Sequence, residues 1–348
     1  MSYFDTVNET IKNYHKILSE EFPAFLLPYI ETPAMQRLSG TSMSCGMDHI
    51  KLYETTFWYS NLDHSVGVAL IVWNFTKDKK ATLAALFHDI SNPAFKHCID
   101  FLNGDPEKQE SIDAHTIKFI SESKEIMALL KRDGITLEEV SDYKDYPVAD
   151  NDAPKLSADR LEYTFSAGIV QEKVWALDEI EKVYNNLSVL KNEEGIKELG
   201  FESPDMAELF MKKASQLWAI WISNKDKMMM EAYAEIFRQM GEINALEQDD
   251  LYRLSEKEII HLIETCKSDK IRKAFANFKD ATTVLESKTF IEGKFCRALK
   301  TKKRYIIPLL KVEPNNKRIV EISGKARQIM EDYKNIKTLK YVALDFNI

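Results

Sequence analysis

Two stretches of this 348-residue chain are apolar on almost every side. One is Ser65–Phe75 and the other is Ala81–Ile90. A run that is hydrophobic all round reads as a helix buried on most faces, and Ser91-Asn92-Pro93 ends the second one. Around this pair the pattern is amphipathic. Residues 1–30 predict a one-sided helix with a break at Pro23 and Pro28, and a short helix follows near Met35–Leu38. Residues 111–132 predict a longer amphipathic helix. Thr136-Leu137-Glu138-Glu139 carries a capping-box pattern. Residues 141–155 are acidic, hold two prolines and read as a surface loop. Helices resume over 156–187. Ser203-Pro204 starts one that runs to about Ser223, with Met206, Phe210, Leu217, Trp218 and Trp221 at helical spacing. Another covers 225–241, and Ser255 with Glu258 caps a third. After residue 285 the pattern turns β-rich in RYIIPLL, KRIVEI and KYVALDF, with Pro314-Asn315-Asn316 as a turn.

Only 11 glycines and 10 prolines occur, too few for the many turns of a β-sandwich, so composition agrees with helix. The expected architecture is mainly α. A helical body spans residues 1–285, with its core at about 31–190, and a smaller basic α/β lobe spans 286–348. Charge follows the same division. Residues 271–348 hold 18 Lys/Arg against 8 Asp/Glu, whereas the whole chain carries a net −8. The four cysteines, Cys45, Cys98, Cys266 and Cys296, are far apart and form no CxxC pair. That excludes a thiolate zinc finger and argues against a disulfide framework. The polar start reads as no signal peptide, and the longest strongly apolar run is too short to span a bilayer. A cytoplasmic protein with no membrane partner is expected.

Candidate chemistry lies beside the two buried helices. His64 sits in Asn61-Leu62-Asp63-His64-Ser65 just as the first begins. His88-Asp89 follows five apolar residues at the end of the second. A buried Asp beside a buried His is costly unless a cation compensates it, and a divalent ion also selects the neutral imidazole. The alternative for this dipeptide alone is a satisfied core histidine with a polar residue at a helix end. Asp159 adds a further carboxylate at the start of the next predicted helix, in Leu156-Ser157-Ala158-Asp159-Arg160-Leu161-Glu162-Tyr163.

The order His…His-Asp…Asp resembles the HD superfamily of metal-dependent phosphohydrolases. Further patches resemble its deoxynucleoside triphosphate triphosphohydrolase branch. They are Thr32-Pro33-Ala34-Met35-Gln36-Arg37-Leu38, Asp63-His64-Ser65-Val66-Gly67-Val68, His88-Asp89-Ile90-Ser91-Asn92-Pro93-Ala94-Phe95-Lys96-His97, Asp159-Arg160-Leu161-Glu162-Tyr163 and Arg304-Tyr305-Ile306-Ile307-Pro308. They run in order over about residues 31–310. The resemblance implies a helical HD fold and one divalent ion held by His64, His88, Asp89 and Asp159. This mixed N/O set suits Mn, Fe, Zn, Ni or Mg alike. The ion's expected role is Lewis acid and template. Asp89 and His97 are the implied catalytic residues, with His97 serving the leaving group. Arg160 is an implied phosphate clamp, Tyr163 a sugar or base contact, and Gln36 a sugar contact, while Lys96 is a nearby cation expected to offset phosphoryl charge. The implied partner is a nucleotide or other phosphorylated small molecule, and the implied assembly is a homo-oligomer.

The chain departs from that branch at Asn61, where an Arg is usual, at Asn92, where a His is usual, and at Gln109-Glu110, where His-Glu often opens a helix. The metal set is complete while the triphosphate-holding groups are thinned. Lys96 and Lys108 are local cations that could replace them. Phosphohydrolysis is therefore the leading reading. The alternative is a non-catalytic nucleotide-binding or regulatory protein that keeps the metal cage. A nucleic-acid binder using Lys300, Lys302, Lys303, Arg304, Lys311, Lys317 and Arg318 ranks last, because the chain is acidic and charge runs are ordinarily solvated. His15 and His261 read as solvated, His115 as partly buried structure, and Trp218 and Trp221 as core.

Overall fold

A computed structural model describes residues 3–104, 115–171, 173–300 and 303–348. Lys108, Gln109-Glu110 and Lys302 lie outside the described residues. The architecture is mainly helical, with a small sheet region in the C-terminal part, as the pattern predicts. The two apolar runs form helices Asn61–Thr76 and Lys79–Phe87, which pack on each other. A full capping box starts the first: Ser60 Oγ accepts the Asp63 N–H, and the Asp63 carboxylate accepts the Ser60 N–H.

The buried side chains fall into two cores. The larger joins these two helices to Ala158–Val170, Pro204–Trp221 and Gly324–Lys334. The second is built on Asn224–Glu242, Glu256–Thr265 and Asp269–Asp280. It also takes in Met47–Tyr53 and Ala94–Phe101. Residues 88–97 therefore pass from one core to the other.

The strands form two sheets. β1 (Leu187–Lys191) and β2 (Lys197–Phe201) make an antiparallel hairpin. β2 then pairs in parallel with β5 (Leu309–Leu310), which pairs with β6 (Lys317–Arg318). At this join a Cβ on Gly200 would sit 2.8 Å from the Leu309 carbonyl oxygen, so glycine permits the approach. The other sheet orders β3 (Leu285–Ser287), β7 (Tyr341–Leu344) and β4 (Phe295–Arg297). The C-terminal segment thus contributes to both cores.

Several local expectations are corrected. The hairpin at 187–201 has no counterpart in the sequence reading. Its turn closes on Gly195 at φ +78°, and Asn192 accepts the Glu194 and Ile196 N–H groups. KRIVEI is strand only at Lys317–Arg318. Glu321 then caps Arg318 N–H, and Ile319–Ile322 is helical. The described part of 111–132 is two helices, because Ser123 caps a second start with its side chain on Ile126 N–H. His15 is buried, stacked near Tyr3 on a helix packed against Asn61–Thr76, and burial pushes its pKa down to about 4. His115 is exposed. Trp218 is core, but Trp221 is only partly covered.

Three of the described basic residues of the C-terminal part are engaged locally. Arg318 is paired with Glu193 and the fully buried Glu198, Lys311 with Glu202, and Lys303 donates to the Lys334 carbonyl. Glu198 also accepts the Leu156 N–H and the Asn192 amide. Removing one side of such a buried network strands the rest. Glu198→Ala should cost about 3–5 kcal/mol in urea denaturation, whereas Lys311→Ala, on an exposed pair, should change stability by less than about 1 kcal/mol.

Candidate metal centre

Four predicted residues converge where the first core ends. His64 lies in the first turn of its helix, and His88 follows the last turn of Lys79–Phe87. Their Nε2 atoms are 3.1 Å apart. Asp159 Oδ1 lies 3.3 Å from His64 Nε2 and 3.6 Å from His88 Nε2. Asp89 offers Oδ2 at 3.7 Å to His64 and Oδ1 at 3.5 Å to His88. Asp159 stands in the first turn of Ala158–Val170, where the positive helix end favours a carboxylate.

The far sides of both rings fix what the near sides offer. His88 Nδ1 donates to the Ala85 carbonyl at 2.8 Å, so its Nε2 carries a lone pair when the ring is neutral. His64 Nδ1 bonds the Glu162 carboxylate. Glu162 is fully buried and is also held by the Tyr59 and Ser166 hydroxyls. It reaches His64 over Gly67, where a Cβ would stand 2.9 Å from Glu162 Oε1. Two imidazole lone pairs and two carboxylates thus point at one small space. Acceptors alone repel each other in a poorly hydrated interior, and a divalent cation satisfies all four. The residues present fit such an ion.

In the ion-free protein, protons must take its place. Burial lowers the His64 pKa, but Glu162, then Asp159 and Asp89, overcome this and raise it to about 9. His88 is likewise raised, by Asp89 and Asp159 against burial. Burial opposes ionisation of Asp89 and Asp159. For Asp159 the bonds from His64 and His88 prevail, and for Asp89 the charges of His88, Lys96 and His64, so both carboxyls stay well below the usual carboxylate range.

The loop after Asp89 is pinned from outside. Arg37 donates to the Ile90 and Asn92 carbonyls at 2.8 and 2.9 Å. Phe95 and Lys96 both adopt positive φ, +62° and +41°. Such conformations cost about 1–3 kcal/mol each and need support. Glu256, fully buried, accepts the Phe95 N–H, while the Ala94 N–H donates to the Leu251 carbonyl at 2.7 Å. The result places Lys96 Nζ 3.2 Å from Asp89 Oδ2 and 2.9 Å from Asn61 Oδ1. Asn61, at the position where Arg was expected, therefore holds a lysine in the site.

These groups open onto a cavity of about 680 Å³. His97 lines it, with Nδ1 2.9 Å from Asp100 Oδ2; burial outweighs Asp100 and keeps its pKa low. Tyr163 lines it against Trp221, with ring centroids 5.5 Å apart. Arg160 also lines it, but its guanidinium is engaged with Asp150, Asn151 and the Lys155 carbonyl, so it shapes the 150–157 loop. Asn92 lines it with both amide atoms buried and unpartnered. Gln36 is not brought to the cavity; its amide donates to the Ile30 carbonyl. Sequence reasoning gave no role to Glu162. A carboxylate three residues beyond Asp159, between Leu161 and Phe165 on a buried helix, was the available signal.

No family model matches the chain. The metal-dependent phosphohydrolase cns2 of Cordyceps militaris is 22% identical over 251 residues, 72% of this chain and 71% of that protein. The uncharacterized protein YdhJ of Bacillus subtilis is 33% identical over 105 residues, 29% of this chain and 31% of that one. A hypothetical protein from Aquifex aeolicus superposes with a TM-score of 0.63 at 16% identity, covering 93% of both chains. A phosphohydrolase from Bacteroides thetaiotaomicron gives 0.62 at 13% identity, covering 93% of this chain and 96% of its own. The overall architecture, a helical body with a small sheet region, is thus shared with these solved structures.

Glu162→Gln should leave helical content intact and weaken Mn²⁺ binding about 10–100-fold in a chelator competition. Affinity should also fall as pH falls below 9, because His64, raised to about 9, must release a proton to solvent before its Nε2 can bind the ion. Calorimetry in buffers of different ionisation heat reads that proton release directly.

Proposed function

We propose that this chain is a metal-dependent phosphohydrolase of the HD type, acting on a phosphate ester or anhydride of a nucleotide. The observation that carries the reading is the cluster of His64, His88 and Asp89, with Asp159 3.3 and 3.6 Å from the two imidazoles, beside a polar cavity. The likeness to a metal-dependent phosphohydrolase over 72% of the chain supports it. The divalent ion held by His64, His88, Asp89 and Asp159 supplies Lewis acidity towards a phosphoryl oxygen.

The chain's own groups do the rest. Lys96, buried and fixed by Asn61 and Asp89, offsets negative charge on the phosphoryl oxygens. Asn92 offers an amide with no other partner for those oxygens to bond. His97 is held by Asp100 on Nδ1, so its Nε2 carries a proton towards the leaving oxygen only as the imidazolium, a form that its lowered pKa confines to acidic pH. Tyr163 and Trp221 offer flat faces to the organic part of the substrate. Trading the branch's usual arginine and histidine for Asn61 and Asn92 leaves fewer charged groups for a long polyphosphate, which favours a shorter phosphate chain.

Those same two asparagines motivate a second reading, a nucleotide sensor that keeps the cage without turnover. Phosphate release and thermal shift on one sample separate the two. A panel of nucleoside mono- and triphosphates should give release in the presence of Mn²⁺, whereas a shift without release selects the sensor. Asp89→Ala should lose both bound metal, by elemental analysis, and phosphate release. Wild-type protein that holds no transition metal and gains nothing from Mn²⁺ overturns the phosphohydrolase reading.

A further inference from the structure

The cavity wall also carries Asp226, a carboxylate that neither the metal set nor its supports use. It lies in the first turn of Asn224–Glu242, in the second core, and is 5% exposed. Ser223-x-x-Asp226 is a capping-box sequence. Two other such starts, Ser60/Asp63 and Ser255/Glu258, form the full reciprocal box. At Ser223 only half forms. Ser223 Oγ accepts the Asp226 N–H, but the Ser223 N–H is already given to the Ile220 carbonyl at 2.8 Å. The Asp226 carboxylate has nothing to cap and lines the cavity instead.

Its neighbours leave it unpaired. Lys225 lies over the Tyr53 ring at 4.0 Å, and Lys227 points at the Leu299 carbonyl at 3.5 Å. Among the described residues no hydrogen bond or ion pair reaches the Asp226 carboxylate. Burial raises its pKa to about 7, against the weaker pull of Lys227 and Lys225. Met230, one turn along the same helix, lines the cavity too. A buried anion without a donor is costly. A phosphate cannot relieve it, because both are negative. An N–H group can, since a carboxylate only accepts.

We propose that Asp226 recognises an amino group on the organic half of the substrate, opposite in character to the phosphate held by the metal set and Lys96. This rests on the phosphohydrolase reading and adds a specificity-determining residue to it.

The test compares esters that differ by one amino group. 2-Aminoethyl phosphate is set against ethyl phosphate, and adenosine 5′-monophosphate against purine riboside 5′-monophosphate. p-Nitrophenyl phosphate, which has no such donor, tests the phosphohydrolase reading by itself. Wild-type protein with Mn²⁺ should favour the amino member of at least one pair by about 10–100-fold in kcat/KM, the range of a charge-assisted hydrogen bond. Asp226→Asn, with wild-type metal content and an unchanged or higher melting temperature, should bring that ratio close to one. Asp226→Ser serves the same purpose if the Asn variant melts lower. A ratio unchanged in the variants overturns the proposal, as does a wild-type protein that hydrolyses p-nitrophenyl phosphate yet prefers neither amino ester. If p-nitrophenyl phosphate, all four esters and the nucleoside triphosphates resist hydrolysis, the phosphohydrolase reading falls. Calorimetric binding of the same pairs then decides Asp226: an Asp226-dependent preference sustains its role, and none overturns it.

Discussion

Four acceptor atoms share one small, poorly hydrated space, and that electrostatic conflict organises the molecule. His64, His88, Asp89 and Asp159 each bring a lone pair or a negative charge to it. Nothing in an apolar interior tolerates that arrangement without a cation or bound protons. The rest of the first core aims the four groups. The His88 ring is turned by a helix-end carbonyl, the His64 ring by Glu162, and Glu162 itself by two hydroxyls and the space that Gly67 leaves. Rings fixed in this way cannot swing apart to relieve the repulsion, so the demand for positive charge is built into the packing.

The second core supplies a different resource. It contributes no metal ligand, but it holds the backbone of Ala94–Lys96 through Leu251 and Glu256, and it presents Asp226 to the cavity. The cavity is thus walled by both packing units. The first supplies the two imidazoles and two carboxylates, and the second supplies the contacts that place Lys96 beside them and the carboxylate of Asp226.

Much of this was legible in the chain. Helices buried on all sides are written plainly in Ser65–Phe75 and Ala81–Ile90, and two polar groups at the end of such a run stand out. The four converging residues were readable because each ends or starts a buried helix. What escaped was set by distant partners. Burial of His15 depends on the Asn61–Thr76 helix it packs against. The β1–β2 hairpin is completed by strands more than a hundred residues away. Gln36 and Arg37 are neighbours in one motif, yet Arg37 turns to the 90–92 carbonyls while Gln36 bonds Ile30. Arg160 looked like an anion clamp because its charge is visible in sequence, whereas its partners Asp150 and Asn151 are settled only by the folded loop.

The left-handed pair Phe95–Lys96 has a consequence for assembly. All four converging groups, and Glu162 behind them, lie within the first 162 residues. The contacts that hold Lys96 in its strained conformation come from residues 251 and 256. These groups are therefore all in the chain about ninety residues before the partners that lock the lysine beside them. The core around them takes in Gly324–Lys334 as well, so the arrangement belongs to the folded whole and not to its first half.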